Sequence, residues 1–329
     1  MRPYLLNLPY KRIAMLLIGG LLSLQSFSQH LVIGNAKFKV EAGLNFGPTF
    51  FLGDLGGNAG KGTRFIKDVN LELTKMMKGA FVTVYPTDWL GLRVAGQLTY
   101  VSGQDYIINT NGNHESWRKE RNLDFKSNMW EVYGAIELYP TLLFRKYNDY
   151  EPRLRPYGFF GIGLFHFDPK GSITASNGTK TWHKLHPLRT EGQGMTQYPN
   201  KKPYELTQIN VPMGFGLKYD LSEKVTVGAE LLYRHTFTDY IDDVSTTYID
   251  PVYFGQYLSP QDAAIARKIH DKMYSIMTAN VSRFSPGTQR GNAKQNDAYF
   301  STLLKIGVKL GNSGVDNKAL RQTRCPLLY

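Results

Sequence analysis

Apolar and polar positions alternate with a period of two in eight separate stretches of the chain. In the first, Phe38, Val40, Ala42, Leu44 and Phe46 are apolar, while Lys39, Glu41, Gly43, Asn45 and Gly47 between them are charged, polar or small. Successive side chains of a strand point to opposite faces, so such a segment lies between an apolar medium and a polar one. The second stretch, about residues 79–85, is ambiguous, because Ala80, Val82 and Val84 compete with Phe81 and Tyr85 for the apolar face. The third sets Leu90, Leu92, Val94, Leu98 and Tyr100 against Arg93, Ala95, Gln97 and Thr99. The fourth directs Trp130, Val132, Ile136 and Leu138 outward and Glu131, Tyr133 and Glu137 inward. The fifth, residues 156–167, is apolar on both faces and carries Gly158, Gly161 and Gly163, which suit close packing or a bend. The sixth runs outward through Ile209, Val211, Met213, Phe215, Leu217 and Tyr219. The seventh does so through Val225, Val227, Ala229, Leu231 and Tyr233, with Glu230 and Arg234 inward. In the eighth, Phe300, Thr302, Leu304, Ile306, Val308 and Leu310 alternate with Ser301, Leu303, Lys305, Gly307 and Lys309.

These runs have about the length, roughly 9–11 residues, that a tilted strand needs to cross a bilayer. The connections sort into two sets. Those after the second, fourth and sixth strands are short or medium; those after the first, third, fifth and seventh are long. Outer-membrane barrels combine an even strand count with short periplasmic turns and long outer loops. The pattern therefore predicts an all-β fold: an eight-stranded antiparallel transmembrane β-barrel with long extracellular loops and both termini in the periplasm. One loop helix is expected at 259–277, where Ser259 suits the N-cap, Pro260 the first turn, and Ile265, Ile269, Met273 and Ile276 recur at helical spacing. A soluble lipocalin-type barrel has the same alternation with the apolar face inside. The segregated loops and the charged residues Glu131, Glu137, Glu230, Arg234, Lys305 and Lys309 on the polar face favour the membrane. Eight strands leave an interior just wide enough for side chains. A wide diffusion pore is therefore not expected; the expectation is a packed polar core, with Glu230 paired to Arg234 or to a lysine of the last strand.

The N-terminal stretch changes the picture next. Arg2, Lys11 and Arg12 precede an apolar run from Ile13 to Leu24, and Ser26-Phe27-Ser28 offers small residues for cleavage before Gln29. The expected organisation is a signal peptide at 1–28, an outer-membrane barrel at 29–312 and a polar periplasmic tail at 313–329. The single cysteine, Cys325, lies far from the cleavage site, which argues against a lipoprotein, and it forms no internal disulfide. Past the signal, no apolar run is long enough for a membrane helix. A mean hydropathy of −0.32 fits strands with one polar face. Aromatics make up 13% of residues, many near strand ends, where barrels carry aromatic girdles. The net charge of +12 falls to about +9 after cleavage and suits anionic lipid and lipopolysaccharide. Nucleic acid is not an expected partner, because no basic helix is present.

Candidate chemistry is sparse. Gly57-Asn58-Ala59-Gly60-Lys61-Gly62-Thr63 breaks the phosphate-loop pattern at Gly62. His183 and His186 have no nearby Cys or Asp to complete a metal set. Asp239, Asp242, Asp243 and Asp250 lack EF-hand spacing and read as a hydrogen-bonded loop entry. His166, His235 and Asp239 fall near the outer strand ends, but no serine is tied to them by a motif. No catalytic, cofactor or metal residues are assigned.

Four segments carry a family resemblance: Arg121-Asn122-Leu123-Asp124-Phe125-Lys126-Ser127; the run from Pro156 to Lys170; Pro187-Leu188 with Thr190-Glu191-Gly192-Gln193-Gly194; and Asp239-Tyr240-Ile241-Asp242-Asp243-Val244-Ser245. Together they resemble the PorG-type outer-membrane barrels of the type IX secretion machinery in Bacteroidota. The resemblance implies a non-enzymatic component associated with a periplasmic ring of PorK- and PorN-like proteins. It transfers no functional residues. Thr190, Glu191, Gly192, Gln193, Gly194, Asp239, Tyr240, Asp242 and Asp243 stand as candidates for ordering the outer loops or contacting a partner. The alternative is a general structural or adhesion barrel whose surface loops contact lipopolysaccharide.

Overall fold

A computed structural model describes residues 39–55, 74–107, 116–143, 152–175, 177–273 and 284–310. The expected signal peptide and tail, and the glycine-rich run at 57–63, lie outside the described residues. The strands are β1 (Lys39–Leu52), β2 (Lys75–Thr87), β3 (Leu90–Gln104), β4 (Asp124–Leu138), β5 (Leu154–Thr174), β6 (Lys180–Lys184), β7 (Thr207–Asp220), β8 (Val225–Thr236) and β9 (Ala298–Leu310). Eight of them form a closed ring in the order β1-β2-β3-β4-β5-β7-β8-β9, with β9 returning to β1. Every neighbouring pair is antiparallel. Closure brings Leu44 opposite Ile306 and leaves no strand edge, the condition for a sheet in hydrocarbon.

The two faces of the ring have opposite polarity. Leu44, Val94, Val132, Ile162, Phe215 and Leu304 are among the large apolar side chains exposed on the outer wall. Glu41, Arg93, Glu131, Glu137, Lys218, Glu230, Arg234 and Lys305 are all buried inside. A soluble barrel would reverse this arrangement. The inside-out polarity matches the alternation strand by strand, and it resolves β2: Phe81 and Met77 are buried in the lumen, while Val82 faces out. Phe81 belongs in a charged interior because the Lys305 ammonium sits 4.3 Å from its ring centroid, an attraction between a cation and the ring face.

One end of the barrel has tight connections. Between β7 and β8 the backbone N–H groups of Leu221 and Ser222 both donate to the Val225 carbonyl. At the other end the strands rise beyond the apolar belt into a cap. Here the fold departs from the sequence expectation. Strand five runs seven residues past residue 167 and turns back as β6, so that Lys170 to Thr174 pair with Lys184 to Lys180. What reads as one long loop therefore begins with a hairpin. The loop helix is Pro260–His270, capped by Ser259, whose side chain accepts from the Asp262 N–H at 3.1 Å. It ends earlier than expected, at an extended Asp271, because His270 is held between the carbonyls of Thr190 and Ile249 and Lys272 reaches to Asp124. Residues 274–277 lie outside the described residues. Among the described residues there are three shorter α-helices besides it, Ser116–Arg121 and Phe254–Tyr257 in the cap connections and Pro140–Leu143 in the connection between β4 and β5, where the pattern indicates only one helix.

The inward glycines are steric requirements. A Cβ at Gly161 would lie 2.1 Å from the Gly134 carbonyl oxygen, and one at Gly163 would lie 2.5 Å from Asn210 Oδ1. A Cβ at Gly158 would meet only ordinary contact, with the Gly214 carbonyl oxygen at 3.8 Å.

A charge on the belt tests the polarity directly. Val94→Arg places a guanidinium in mid-belt and is expected to cost about 2–4 kcal/mol, read from denaturant unfolding in lipid vesicles. A loss under about 1 kcal/mol would mean that Val94 does not face lipid.

Candidate functional site

The interior holds four glutamates and four cations in three layers. Nearest the tight turns, Glu41 accepts from Lys218 Nζ, from Tyr85 OH at 3.0 Å and from Thr226 Oγ1 at 2.6 Å. Beside it Asp220 binds Arg155 and, at 2.9 Å, Lys309. At mid-barrel, Arg93 donates to Glu137 at 2.5 Å and contacts Glu230 at 2.8 Å. Lys305 and Tyr157 OH complete Glu230 at 3.1 and 2.6 Å. Nearest the cap, Arg234 donates to Glu131 at 3.2 Å, Gln97 Oε1 at 2.5 Å and Ser301 Oγ at 2.6 Å. Of the two partners expected for Glu230, Lys305 of the last strand pairs with it at 3.1 Å and Arg234 does not. Glu230 and Arg234 both project inward from one strand, but Arg93 and Lys305, on other strands, already complete Glu230. Lys309, at the rim, serves Asp220 instead.

These contacts fill the lumen. The best-formed cavity among the described residues, beside Glu41, Tyr85, Tyr139, Tyr157, Lys218 and Lys305, holds about 10 Å³. A small-molecule site needs roughly 300 Å³ or more. The inward charges thus form a hydrogen-bonded polar core.

The cap has a core of its own. Phe125, Phe165, Phe167, Leu188, Tyr204, Ile241, Phe254 and Ile269 pack together. Tyr204 stacks on Tyr240 at 4.7 Å between centroids. Two buried arginines tie the loops above this core. Arg121 grips Asp105 at 2.7 and 2.9 Å and donates to the Asp54 carbonyl at 2.8 Å. Arg290 donates to Glu191 Oε1 at 3.0 Å and to the Asp243 carbonyl at 2.6 Å.

The sequence-derived candidates converge here. Glu191 also accepts from the N–H groups of Ser245 and Thr246. Asp243 accepts from Thr190 Oγ1 and from Tyr204 OH. Gln193 Oε1 accepts from the Glu191 N–H at 3.0 Å. Gly192 and Gly194 have φ of +82° and +73°, backbone that favours glycine. The acidic run divides. Asp250 caps the short turn after it through the Val252 N–H. Asp239 and Asp242 instead join Asp54 and Asp297, two loop residues that no periodicity marks.

Burial raises the pKa of this second group. Asp239 is pushed up to about 9 by burial and then by Asp54, with Asp242 and Glu191 adding. Asp242 and Asp297 are raised by burial and by neighbouring carboxylates, as is Asp54 despite Arg121. Asp243 is raised to about 6, with Arg290 opposing the effect of burial. His270 is held down to about 3 by burial and by Arg290, so it is a neutral prop between two carbonyls. Among the described residues, the remaining histidines do not assemble a site. His166 stacks on Trp130 at 5.7 Å, His235 lies exposed beside Phe237, and Asp239 is buried in the cap, so the three do not meet. His183 bonds Thr181, and His186 bonds the Tyr204 carbonyl.

A closed antiparallel ring, an apolar belt, a charge-filled lumen and connections divided into tight turns and a folded cap define an eight-stranded transmembrane β-barrel of the outer-membrane type. No protein-family model matches the chain, and no curated protein matches it. Among solved structures it is similar to Ail, the attachment invasion locus protein of Yersinia pestis, in complex with the heparin analogue sucrose octasulfate. The identity is 9% and the TM-score 0.31, covering 83% of this chain and 99% of that one. It is also similar to the outer membrane protein OprG of Pseudomonas aeruginosa, at 11% identity and TM-score 0.32, covering 83% and 95%. A third is Neisserial surface protein A, at 11% and 0.31, covering 83% and 97%.

Two outcomes are expected. Arg93→Met leaves Glu137 and Glu230 facing each other without their shared cation and costs about 3–5 kcal/mol. Adding Glu230→Gln recovers part of that loss in denaturant unfolding. In the cap, raised carboxyls carry more protons folded than unfolded. Their contribution is complete below the unfolded value near 4 and is lost as pH rises through the folded values. In EDTA-containing buffer, protease sensitivity of the cap therefore increases from about pH 4 to about pH 9, while heat-modifiable gel mobility reports an intact barrel.

Proposed function

We propose that the protein is a non-enzymatic structural barrel of the outer membrane, with its cap outside the cell, and a component of the type IX secretion apparatus that anchors or organises its periplasmic ring. The observation that carries the structural part is the filled lumen. With four glutamates matched by four cations across the ring, the barrel serves as a rigid post rather than a conduit. The secretion part rests on the PorG-type resemblance. Its four motif segments lie far apart in sequence, and three of them contribute to one contact set in the cap: Arg121, Thr190 to Gln193, and Asp239 to Ser245. The fourth supplies Phe165 and Phe167 to the core beneath. In this reading Thr190, Glu191, Gly192, Gln193, Gly194, Asp239, Tyr240, Asp242 and Asp243 order the outer loops. Residues 1–28 are a cleaved signal, 29–312 the barrel and 313–329 a periplasmic tail. The tight turns and tail then face PorK- and PorN-like ring proteins.

A second reading is favoured by one surface. On the cap, Lys126 sits 4.0 Å over the ring of Trp182. Lys170 and Lys184 flank Asp168, and the Lys184 side chain is largely exposed. Such a basic, aromatic patch suits lipopolysaccharide phosphates and a general surface role.

Affinity purification from detergent-solubilised outer membranes, with mass spectrometry of the co-purifying proteins, separates the two. Ring proteins in stoichiometric amounts together with lost secretion on deletion are expected for the first reading. A barrel that purifies alone from cells that secrete normally overturns it and leaves the surface role. In planar bilayers either reading predicts no conductance steps.

A further inference from the structure

On the outside of the ring, the wall formed by β4, β5 and β6 changes character in steps. The outward row of β5 is apolar through Phe160, Ile162 and Leu164. His166 follows, stacked on Trp130 of β4, at the edge of the apolar belt, where barrels carry their aromatic girdle. Asn128 and Asp168 face each other next. Beyond them Lys126 lies opposite Lys170, and Lys170 lies opposite Lys184. Three lysines on three strands thus share one rung of the sheet. Like charges directly opposite one another destabilise a sheet.

Among the described residues, one carboxylate serves this rung. The Lys170 and Lys184 ammonium groups converge on the same oxygen, Asp168 Oδ2, at 3.8 and 3.4 Å. Lys126 forms no ion pair with a described residue; its Nζ sits 4.0 Å over the Trp182 ring. Asp124, further along the same face, is taken by Lys180 and Lys272. Three ammonium groups against one carboxylate leave two positive charges in excess. The height of the rung decides what can neutralise them. Lys170 and Lys184 reach toward Asp168, which lies two residues beyond His166. At about 3.3 Å per residue and a tilt of about 40°, their ammonium groups stand roughly 5 Å beyond the girdle. The head-group layer of a bilayer is about that thick, roughly 5–7 Å on each side.

We propose that Lys126, Lys170 and Lys184, with Trp182 beside them, bind the phosphomonoester head group of a membrane lipid in the leaflet on the cap side. A phosphate monoester carries a charge of about −1.5 to −2 at pH 7, which matches the excess on the rung. A zwitterionic phosphodiester head group brings no net charge to it. Each ammonium offers three donors and acts on phosphate as a point charge, so the bound anion also relieves the repulsion along the rung. The acyl chains of the lipid lie against Phe160, Ile162 and Leu164, directly below on β5. A free phosphate ion gains the charges without that wall. The site rests on the basic, aromatic patch of the second reading, to which it adds a ligand class and a depth, and it requires no choice about secretion.

The test titrates the full-length protein in nonionic detergent with dihexanoyl phosphatidic acid and follows binding by native mass spectrometry. Parallel titrations use dihexanoyl phosphatidylcholine and inorganic phosphate. Two unopposed charges are expected to favour phosphatidic acid over phosphatidylcholine by about thirtyfold. Lys170→Gln, at the centre of the rung, is expected to weaken phosphatidic acid binding about fivefold, and the triple variant with Lys126→Gln and Lys184→Gln about a hundredfold. Lys224→Gln, exposed in the tight turn at the opposite rim, leaves binding unchanged. Undiminished affinity in the triple variant overturns the proposal, as does equal binding of phosphatidic acid and phosphatidylcholine. Inorganic phosphate bound as tightly as phosphatidic acid also overturns it, by making the rung a site for soluble anions. Should the triple variant lack a heat-modifiable band, Lys170→Gln against Lys224→Gln decides. Ring proteins that co-purify with a barrel holding this lipid defeat the second reading and leave the site standing, so the two failures are told apart.

Discussion

The structure depends on one constraint: a backbone in hydrocarbon has no water to satisfy its N–H and C=O groups, so each must find a partner within the sheet. Pairing β9 with β1 meets that constraint. Once the ring is closed, alternation stops being a local preference. Each strand must present one row of side chains to lipid and the next to the lumen. The narrow ring then forces the inward rows into mutual contact. Arg93 reaches Glu230 across the interior for that reason, and the charged residues sort into matched layers without any change of backbone.

The alternation read from the sequence is the direct imprint of this constraint, which is why strand number, face assignment and the division of long from short connections were legible. Phe81 was not. An aromatic residue on a polar face breaks the pattern, and only the placement of Lys305 over its ring makes sense of it. Charge partners were half legible. That Glu230 faces inward follows from period two, but Arg93 as its partner depends on the register of strands far apart in the chain. Of the two partners expected for Glu230, the lysine of the last strand is Lys305, while Arg234 goes to Glu131.

The cap was the least legible part. Its segments carry no period, because side chains in irregular loops are directed by individual hydrogen bonds. Thr190, Glu191 and Asp243 stood out only through motif resemblance. Arg290, which bonds Glu191 and the Asp243 carbonyl, and Asp54 and Asp297, which accept from the Asn292 and Ile241 N–H groups, gave no local signal at all. Even the β5 hairpin escaped notice, since Lys170 to Lys184 lack apolar alternation and form a ladder above the belt, where no lipid enforces it. The Ser259 cap and Pro260 start of the helix were readable from local chemistry. Its end was set by His270 and Lys272, whose partners lie in other loops.

The way the cap is stitched has a consequence for biogenesis. Its contacts join earlier loops to the last: from the loop after β1 the Leu55 N–H bonds Asp242 and Asp54 the Asn292 N–H, and from the loop after β3 Arg121 bonds the Arg290 carbonyl. These closures span most of the chain, so they form only after both ends of the sheet have met. Two of these loops leave β1 and enter β9, the two strands that seal the ring. The cap is therefore a lock turned last, and a barrel stalled with its seam open would present a set of unjoined loops in place of a folded surface.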